Sequence, residues 1–213
     1  MKMNTHALAL SAVSFMLFAV AAHAEAPTAE LRVTGKIDVP GCTLSVPDDG
    51  TYDFGRISPS IIKSSGTTQL TPITKSWTAQ CDASTYLSFK VTDNRKDTVS
   101  VANYYSFGLG SVNGNGKLGY YGIKMENGQV DGKKTQVYAT VSSAVVGASS
   151  ISVFNNSGYR HGWANGSIPA IGKDFTVDLT VTPTLADTKT MGGALTDSVN
   201  LDGSATLTFA FGI

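Results

Sequence analysis

Two stretches of this sequence, one near each end, repeat with a period of two residues. In the first, the apolar or small residues are Leu31, Val33, Gly35, Ile37 and Val39, and the residues between them are polar. In the second, Leu207, Phe209 and Phe211 alternate with Thr206, Thr208 and Ala210. Successive side chains of a strand point to opposite faces, so both patterns predict a strand with one buried face. The first stretch can pair with the protein's own sheet or be given to another molecule's sheet, and the pattern leaves both open.

Shorter alternating stretches between these two predict an all-β fold. The clearest are Ile73 to Cys81, Tyr86 to Thr92 and Phe175 to Leu185. The chain has 22 glycines and only 15% charged residues, and the dipeptides Asn127-Gly128 and Asp131-Gly132 suit hairpin turns. No segment after the first 24 residues has the period of an amphipathic helix. We therefore expect a single β-sandwich domain.

The first 24 residues have the organisation of a secretory signal peptide. Lys2 supplies a positive charge, Ala7 to Ala22 is largely apolar, and Ala22-His23-Ala24 fits a small-residue cleavage site. We expect residues 1–24 to be removed and the mature protein to be exported. The alternative is an N-terminal membrane anchor, which the polar residues directly after Ala24 disfavour.

Charge and cysteine content narrow the classes of partner. The chain has 16 basic and 16 acidic residues, and the first 24 residues contain only Lys2, so the mature chain has one acidic residue in excess. This balance predicts no binding to nucleic acid.

Cys42 and Cys81 are the only cysteines, and in an exported protein such a pair is most simply a disulfide. They form no Cys-x-x-Cys motif, and His161 is the one histidine after residue 24, so we expect no metal and no cofactor.

The sequence offers few residues for chemistry. No Gly-x-Ser-x-Gly element is present, and His161 has no identifiable base or nucleophile partner, so we expect no catalytic residues and no enzyme activity. Tyr159, His161 and Trp163 alternate in a Gly- and Asn-rich stretch, 155–167, that we expect to be a loop. Aromatic rings beside asparagines can contact a glycan. The alternative is that they hold the loop against the domain surface.

Several features of this sequence occur in the same order as in one known family of proteins. They are the signal peptide, an alternating extension with Gly35 seven residues before Cys42, the element Phe54-Gly55-Arg56-Ile57, the second cysteine, and the final alternating strand. This set resembles a chaperone–usher pilus subunit, a fimbrial pilin of Gram-negative bacteria. Typical pilins have Tyr as the next-to-last residue, whereas Phe211 is third from last, and extra sequence lies between Asn103 and Ser167. The chain therefore resembles a less-characterised fimbrial-like branch.

The resemblance implies an immunoglobulin-like sandwich that lacks its last strand. A donor-strand extension at 25–41 would precede the pilin-like domain at 42–213, and the disulfide would tie the first two core strands together. The inserted side chains would be Leu31, Val33, Ile37 and Val39, with Gly35 where the acceptor groove is shallow. The groove strand would present Leu207, Phe209 and Phe211. Expected partners are a periplasmic pilus chaperone, an outer-membrane usher and neighbouring pilin subunits, and the expected location is the periplasm and then a cell-surface fimbrium that supports cell adhesion.

Two other functions stay open at this point. The protein can be a secreted or fimbria-associated sandwich adhesin that binds a host glycan or surface receptor through Tyr159, His161 and Trp163. It can also be a free periplasmic protein whose extension completes its own fold. The first predicts sugar binding at the 155–167 loop, and the second predicts a self-complemented monomer.

Overall fold

A computed structural model describes residues 26–155 and 158–211. The chain divides into two units, Met1–Ile37 and Asp38–Ile213. The expected signal peptide, residues 1–24, lies outside the described residues. In the first unit, residues 26–37 form neither helix nor strand, and all of them are exposed.

The alternating stretch at 31–39 is not a strand in this structure. The side chains of Leu31, Val33, Ile37 and Val39 are between 79% and 102% exposed. No atom lies within 4 Å of the place where a Cβ on Gly35 would be. In this structure the stretch does not pair with the protein's own sheet, and its pairing with the sheet of another molecule stays a prediction. A strand is stable only when its backbone groups pair with a neighbour, and the pattern did not specify that neighbour.

The unit Asp38–Ile213 is all-β, as predicted. Its strands in the described residues are β1 Cys42–Ser45, β2 Thr68–Gln69, β3 Ile73–Asp93, β4 Phe107–Gly108, β5 Ser111–Val112, β6 Gly116–Lys117, β7 Gly119–Val130, β8 Lys133–Lys134, β9 Gln136–Thr140, β10 Ser150–Ser152, β11 Arg160–Asn165, β12 Ile168–Pro169, β13 Ile171–Leu185 and β14 Ala205–Phe211. Short 3₁₀ segments lie at Pro47–Gly50, Pro59–Ile61 and Lys96–Thr98.

Strand β3 organises the domain, because its 21 residues run through both layers of the sandwich. In the first layer, its beginning lies between β1 and β13, and β13 pairs in turn with β7. In the second layer, its end pairs with β14 on one side and with β11 on the other. β11 pairs in turn with β9 and β12. All of these pairings are antiparallel. The sequence had predicted two strands here, and they are continuous through the exposed residues 82–84.

The core lies between the two layers and is closed at one edge by a disulfide. The largest fully buried side chains include Phe89, Phe107 and Phe175. Cys42 and Cys81 face each other in the pairing of β1 with β3 and form the predicted disulfide. This bond closes a sequence separation of 39 residues, and such a loop closure contributes roughly 4 kcal/mol to the free energy of unfolding.

The two predicted hairpin turns have different outcomes. Asp131 and Gly132 form the two-residue turn between β7 and β8, with φ of 50° and 72°, as a primed hairpin turn requires. Asn127-Gly128 does not form a turn, and that prediction is wrong. These residues lie inside β7, where the register against β13 shifts between Thr176 and Asp178. The positive φ of Asn127, 54°, therefore belongs to an irregularity in a strand.

Candidate functional site: a groove beside the last strand

Strand β14 is paired along one edge only. It pairs with β3 over its whole length, from Ala205 opposite Asp93 to Phe211 opposite Leu87. Among the described residues, no strand pairs with its other edge. Leu207 and Phe209 are half-buried on its inner face, whereas the threonines on its outer face are exposed. β14 is thus an edge strand with its main-chain groups available and an apolar inner face.

A groove runs beside this strand between the two layers, and we call it the β14 groove. Its wide part has a volume of about 370 Å³. Residues of β14 and the segment before it line one side, and residues 49–52 and 54 line another. The apolar and aromatic lining side chains are Tyr52, Phe54, Trp77, Leu109, Tyr121, Ile123, Leu179, Val181, Pro183, Leu201, Ala205 and Leu207. A groove of this composition binds apolar side chains.

The groove narrows toward an aromatic cluster, where the remaining volume is about 10 Å³. Three side chains line both spaces, namely Trp77, Leu179 and Leu207. In the cluster, the ring centroid of Phe89 lies 5.3 Å from that of Phe209 and 6.4 Å from that of Trp163. The wide part therefore has space for incoming side chains, whereas the narrow part is filled by the protein's own rings.

Tyr52 is fixed at the rim of the groove by two hydrogen bonds. Its hydroxyl donates to the Leu179 carbonyl oxygen at 3.0 Å and accepts from Trp77 Nε1 at 3.2 Å. Burial raises the pKa of Tyr52 to about 12, so the hydroxyl keeps its proton at neutral pH. These bonds hold the segment opposite β14 against the first layer of the sandwich.

The element Phe54-Gly55-Arg56-Ile57 lies on the same side of the groove. Phe54 and Ile57 pack half-buried against the core, although they are three residues apart. In a regular strand that spacing would place them on opposite faces. Gly55 has a φ of 62°, which favours glycine, and its N–H donates to Asp53 Oδ1 at 2.8 Å. The turn at Gly55 is what allows both side chains to face the core.

The segment before β14 lines the wide part of the groove and is held by an ion pair. Arg95 donates from Nε and Nη2 to the two carboxylate oxygens of Asp202, at 2.8 and 3.0 Å, and this pairing holds the pKa of Asp202 below its usual value. The next residue, Gly203, lies directly on the Tyr121 ring. A Cβ at this position would be 2.8 Å from a ring carbon of Tyr121, so a larger residue would push the segment out of place.

The structure brings together part of the predicted groove strand and adds residues that the sequence did not indicate. Leu207 and Phe209 line the groove. Phe211 is 38% exposed at the end of β14 and is not part of the described lining. Sequence reasoning missed Tyr121 and Trp77 as groove residues. Tyr121 lies in β7 and Trp77 in β3, but only the packing of the layers shows which faces meet.

The residues proposed for glycan contact are not in an exposed loop. The prediction of a loop at 155–167 is wrong over residues 160–165, which form β11 between β3 and β9. His161 is 0% exposed and Trp163 is 2% exposed. Trp163 Nε1 donates to the Thr176 carbonyl oxygen at 2.8 Å, which links the two layers. A sugar on the surface cannot reach these two side chains, because they are part of the core.

Tyr159 and His161 are held by aromatic stacking. The ring of Tyr159 stacks on Phe154 at a centroid distance of 4.2 Å, and His161 stacks on Phe89 at 5.3 Å. His161 Nε2 accepts from the Phe154 N–H at 2.9 Å, and burial lowers the pKa of His161 to about 4. The histidine is therefore neutral and structural at neutral pH.

Residues 26–155 and 158–211 contain no group of three His, Cys, Asp or Glu side chains placed to hold a metal ion. Both cysteines are used in the disulfide. In the same part of the chain, no helix has the length and apolar character needed to cross a membrane. The groove is the feature of this site that a partner can use.

Comparison with known families gives one partial match. The model of a family described as "Protein of unknown function (DUF1120)" matches residues 31–112. This range begins at the first residue of the alternating stretch, includes both cysteines and all of β3, and covers less than half of the chain. No curated protein matches the chain. The likeness is to a family without a stated function, so the functional argument comes from the groove.

Proposed function

We propose that this protein is a structural subunit of a chaperone–usher fimbria that polymerises by donor-strand exchange. The observation that supports the proposal is the unpaired edge of β14 above an apolar groove. Such an edge is an aggregation hazard for a lone molecule. A strand given by another molecule pairs with the edge and fills the groove in one step.

The alternating stretch at 31–39 has the composition of the strand to be given. It presents its apolar residues at every second position, and all of them are exposed. Nine extended residues span about 30 Å, and the seven-residue β14 spans about 23 Å. A second copy of the chain therefore carries a segment long enough to cover the whole edge.

Burial of the apolar face would supply much of the binding free energy. Leu31, Val33, Ile37 and Val39 would each contribute about 1.5 to 3 kcal/mol on full burial, before the cost of ordering the segment. Main-chain hydrogen bonds to β14 would add to this and set the register. Together these terms make slow dissociation the expected behaviour of an assembled fibre.

In this proposal, two partners act before the fibre forms. A periplasmic chaperone covers the β14 groove of the exported subunit and prevents premature pairing. An outer-membrane usher then brings subunits together, and the extension of one subunit replaces the chaperone in the groove of the next. The product is a cell-surface fimbrium that supports adhesion.

The test is a pair of matched substitutions on neighbouring residues of the stretch. Val33→Asp places a charge on the apolar face, whereas Thr34→Asp places the same charge on the polar face. Material sheared from the cell surface is run unboiled on an SDS gel and probed for this protein. We expect a ladder of SDS-resistant multimers for the wild type and for T34D, and monomer for V33D and for a deletion of residues 25–39.

Two results would contradict the proposal. A wild-type protein found only as a periplasmic monomer would favour the alternative of a free, self-complemented protein. A ladder that persists without residues 25–39 would show that another segment joins the subunits.

A further inference from the structure

Two residues, Pro40 and Gly41, join the alternating stretch at 31–39 to strand β1. A connection of this length is the commonest one in a β-hairpin. A hairpin at this point would fold the stretch back along β1 and into the groove of its own subunit. Without a hairpin, the stretch stays free for a second copy of the chain. Because these two residues would have to form the turn, their conformation decides between the two outcomes.

The alternating pattern does not prevent such a hairpin. Among the described residues, β1 pairs with β3 alone, so its second edge is free. Residues that face each other across a hairpin lie on the same side of the sheet, and a two-residue turn would place Ile37 beside Leu44. Leu44 lines the narrow part of the β14 groove. The apolar face of the stretch would therefore be turned toward the groove, and only the turn is left to exclude this arrangement.

Pro40 is unsuited to the turn that a tight hairpin needs. The favoured two-residue turns, types I′ and II′, both require a positive φ at the first of their two central residues. The ring of proline fixes φ at about −65°. Pro40 is compatible only with type I or type II turns, whose twist moves the two strands apart. The first residue of the connection thus disfavours a hairpin.

The second residue of the connection is held by Asp82. The Gly41 N–H donates to Asp82 Oδ1 at 3.0 Å, and the Asp82 N–H donates to the Gly41 carbonyl oxygen at 3.0 Å. These bonds extend the pairing of β1 with β3 by one residue beyond Cys42 and Cys81. The φ of Gly41 lies outside the left-handed region that a type I′ turn requires. Such a turn would change the Gly41 backbone, and the bonds to Asp82 would be lost.

We propose that Pro40 and Asp82 keep the stretch at 31–39 out of the groove of its own subunit and so leave it free for a second copy of the chain. Both are positioning residues, since neither lines the groove. The inference rests on the proposed function, because it takes the stretch as a strand that fills a groove. It adds the reason why the strand is given to another molecule although its pattern also fits its own subunit.

The test turns the connection into a good hairpin turn and measures how often the hairpin forms. Pro40→Asn supplies Asn-Gly, the preferred pair for a type I′ turn. The purified protein carries Ile37→Cys and Leu44→Cys, and the rate at which these two form an intramolecular disulfide in a glutathione buffer is followed by mass spectrometry of tryptic peptides. This rate is proportional to the hairpin population even when that population is small. Lys36→Cys with Leu44→Cys is the matched control, because position 36 would lie on the opposite face.

We expect slow trapping in the parent protein with only the two new cysteines, and trapping about tenfold faster when P40N is added. Asp82→Ala should accelerate trapping about fivefold, because one side-chain hydrogen bond no longer holds Gly41. Asp82→Asn keeps an acceptor oxygen at the same place and should stay within about twofold of the parent. The difference between these two variants separates the hydrogen bond from a general loss of order at this position.

Three results would overturn the inference. They are a trapping rate that P40N leaves unchanged, equal trapping in the control with K36C, and equal acceleration by D82A and D82N. The proposed function fails by another result, the absence of a surface ladder in the wild type. Trapping is measured on the monomer and needs no fibre, so the two failures are distinguishable.

Discussion

The two alternating stretches of this chain have the same pattern and different structures. Residues 205–211 form a strand that pairs with β3 and is half-buried on its inner face. Residues 31–39 form no strand and are exposed on both faces. The comparison shows that a period of two residues specifies a strand with two faces, but not the sheet to which that strand belongs. In β14 the aromatic Phe209 contacts Phe89 inside the domain, whereas the first stretch has no aromatic residue.

The largest expected effect tests where the stable part of the fold begins. Replacing Cys42 and Cys81 with alanine should lower the free energy of unfolding by about 4 kcal/mol, because the unfolded chain gains the entropy of an open loop. Deletion of residues 25–39 should change it by less than about 0.5 kcal/mol, since this stretch is exposed. Urea denaturation measures both. If the deletion lowered the free energy of unfolding as much as loss of the disulfide does, residues 31–39 would be a packed part of the fold, as β14 is.

Acid should weaken the layer that contains β14. The pKa of His161 is about 4 in the folded protein and 6.5 in the unfolded chain, because burial disfavours the charged ring. Between these values the unfolded chain binds more protons, so stability is complete above about pH 6.5 and falls as the pH decreases toward 4. The loss should reach about 3 kcal/mol, and urea denaturation at several pH values measures it.

The matched variant for this prediction is His161→Gln, which keeps an acceptor for the Phe154 N–H. Between pH 4 and 6.5 its stability should lack the decrease of about 3 kcal/mol that is expected for the wild type. Asp131, Asp187 and Asp202 also have lowered pKa values, but their contributions are lost at more acidic pH. A wild-type slope that persists in H161Q would assign the acid sensitivity to another group.

A direct comparison of the stretches uses one substitution in each. Phe209→Ala should lower the free energy of unfolding by about 2 to 3 kcal/mol, because a half-buried ring leaves its contact with Phe89. Ile37→Ala, at a side chain that is 102% exposed, should change it by less than about 0.5 kcal/mol. Both are measured on the monomer by urea denaturation. Equal costs would show that the first stretch is packed in solution.

The smallest expected effect concerns the side of the groove opposite β14. Tyr52→Phe removes the hydroxyl that joins Trp77 Nε1 to the Leu179 carbonyl oxygen. The expected loss is about 1 to 2 kcal/mol, since the partners of two part-buried hydrogen bonds are left unpaired. Thermal melting measures it, and Tyr105→Ala on an exposed side chain serves as the comparison. An unchanged melting temperature would mean that packing alone holds this segment.

The sequence predicted the features that depend on local pattern or on covalent chemistry. It identified β14, the disulfide, the Asp131-Gly132 turn and the all-β class. It failed where the structure depends on contacts between segments that are distant in the sequence. β11 looked like a loop because of its glycines and asparagines, yet Gly162 lies where a Cβ would be 2.8 Å from the Tyr138 ring. This close approach lets β11 pack inside the sheet, and no periodicity indicates it.

The course of β3 has a mechanical consequence. Tension applied at the N-terminal side of Cys42 passes through the disulfide to Cys81. From there it continues along the same strand to the seven residue pairs that β3 shares with β14. The chain between the two cysteines lies outside this path and carries no load. A pulling force therefore acts on a covalent bond before it reaches the pairing of β3 with β14, and the long segment that includes the rim of the groove stays relaxed.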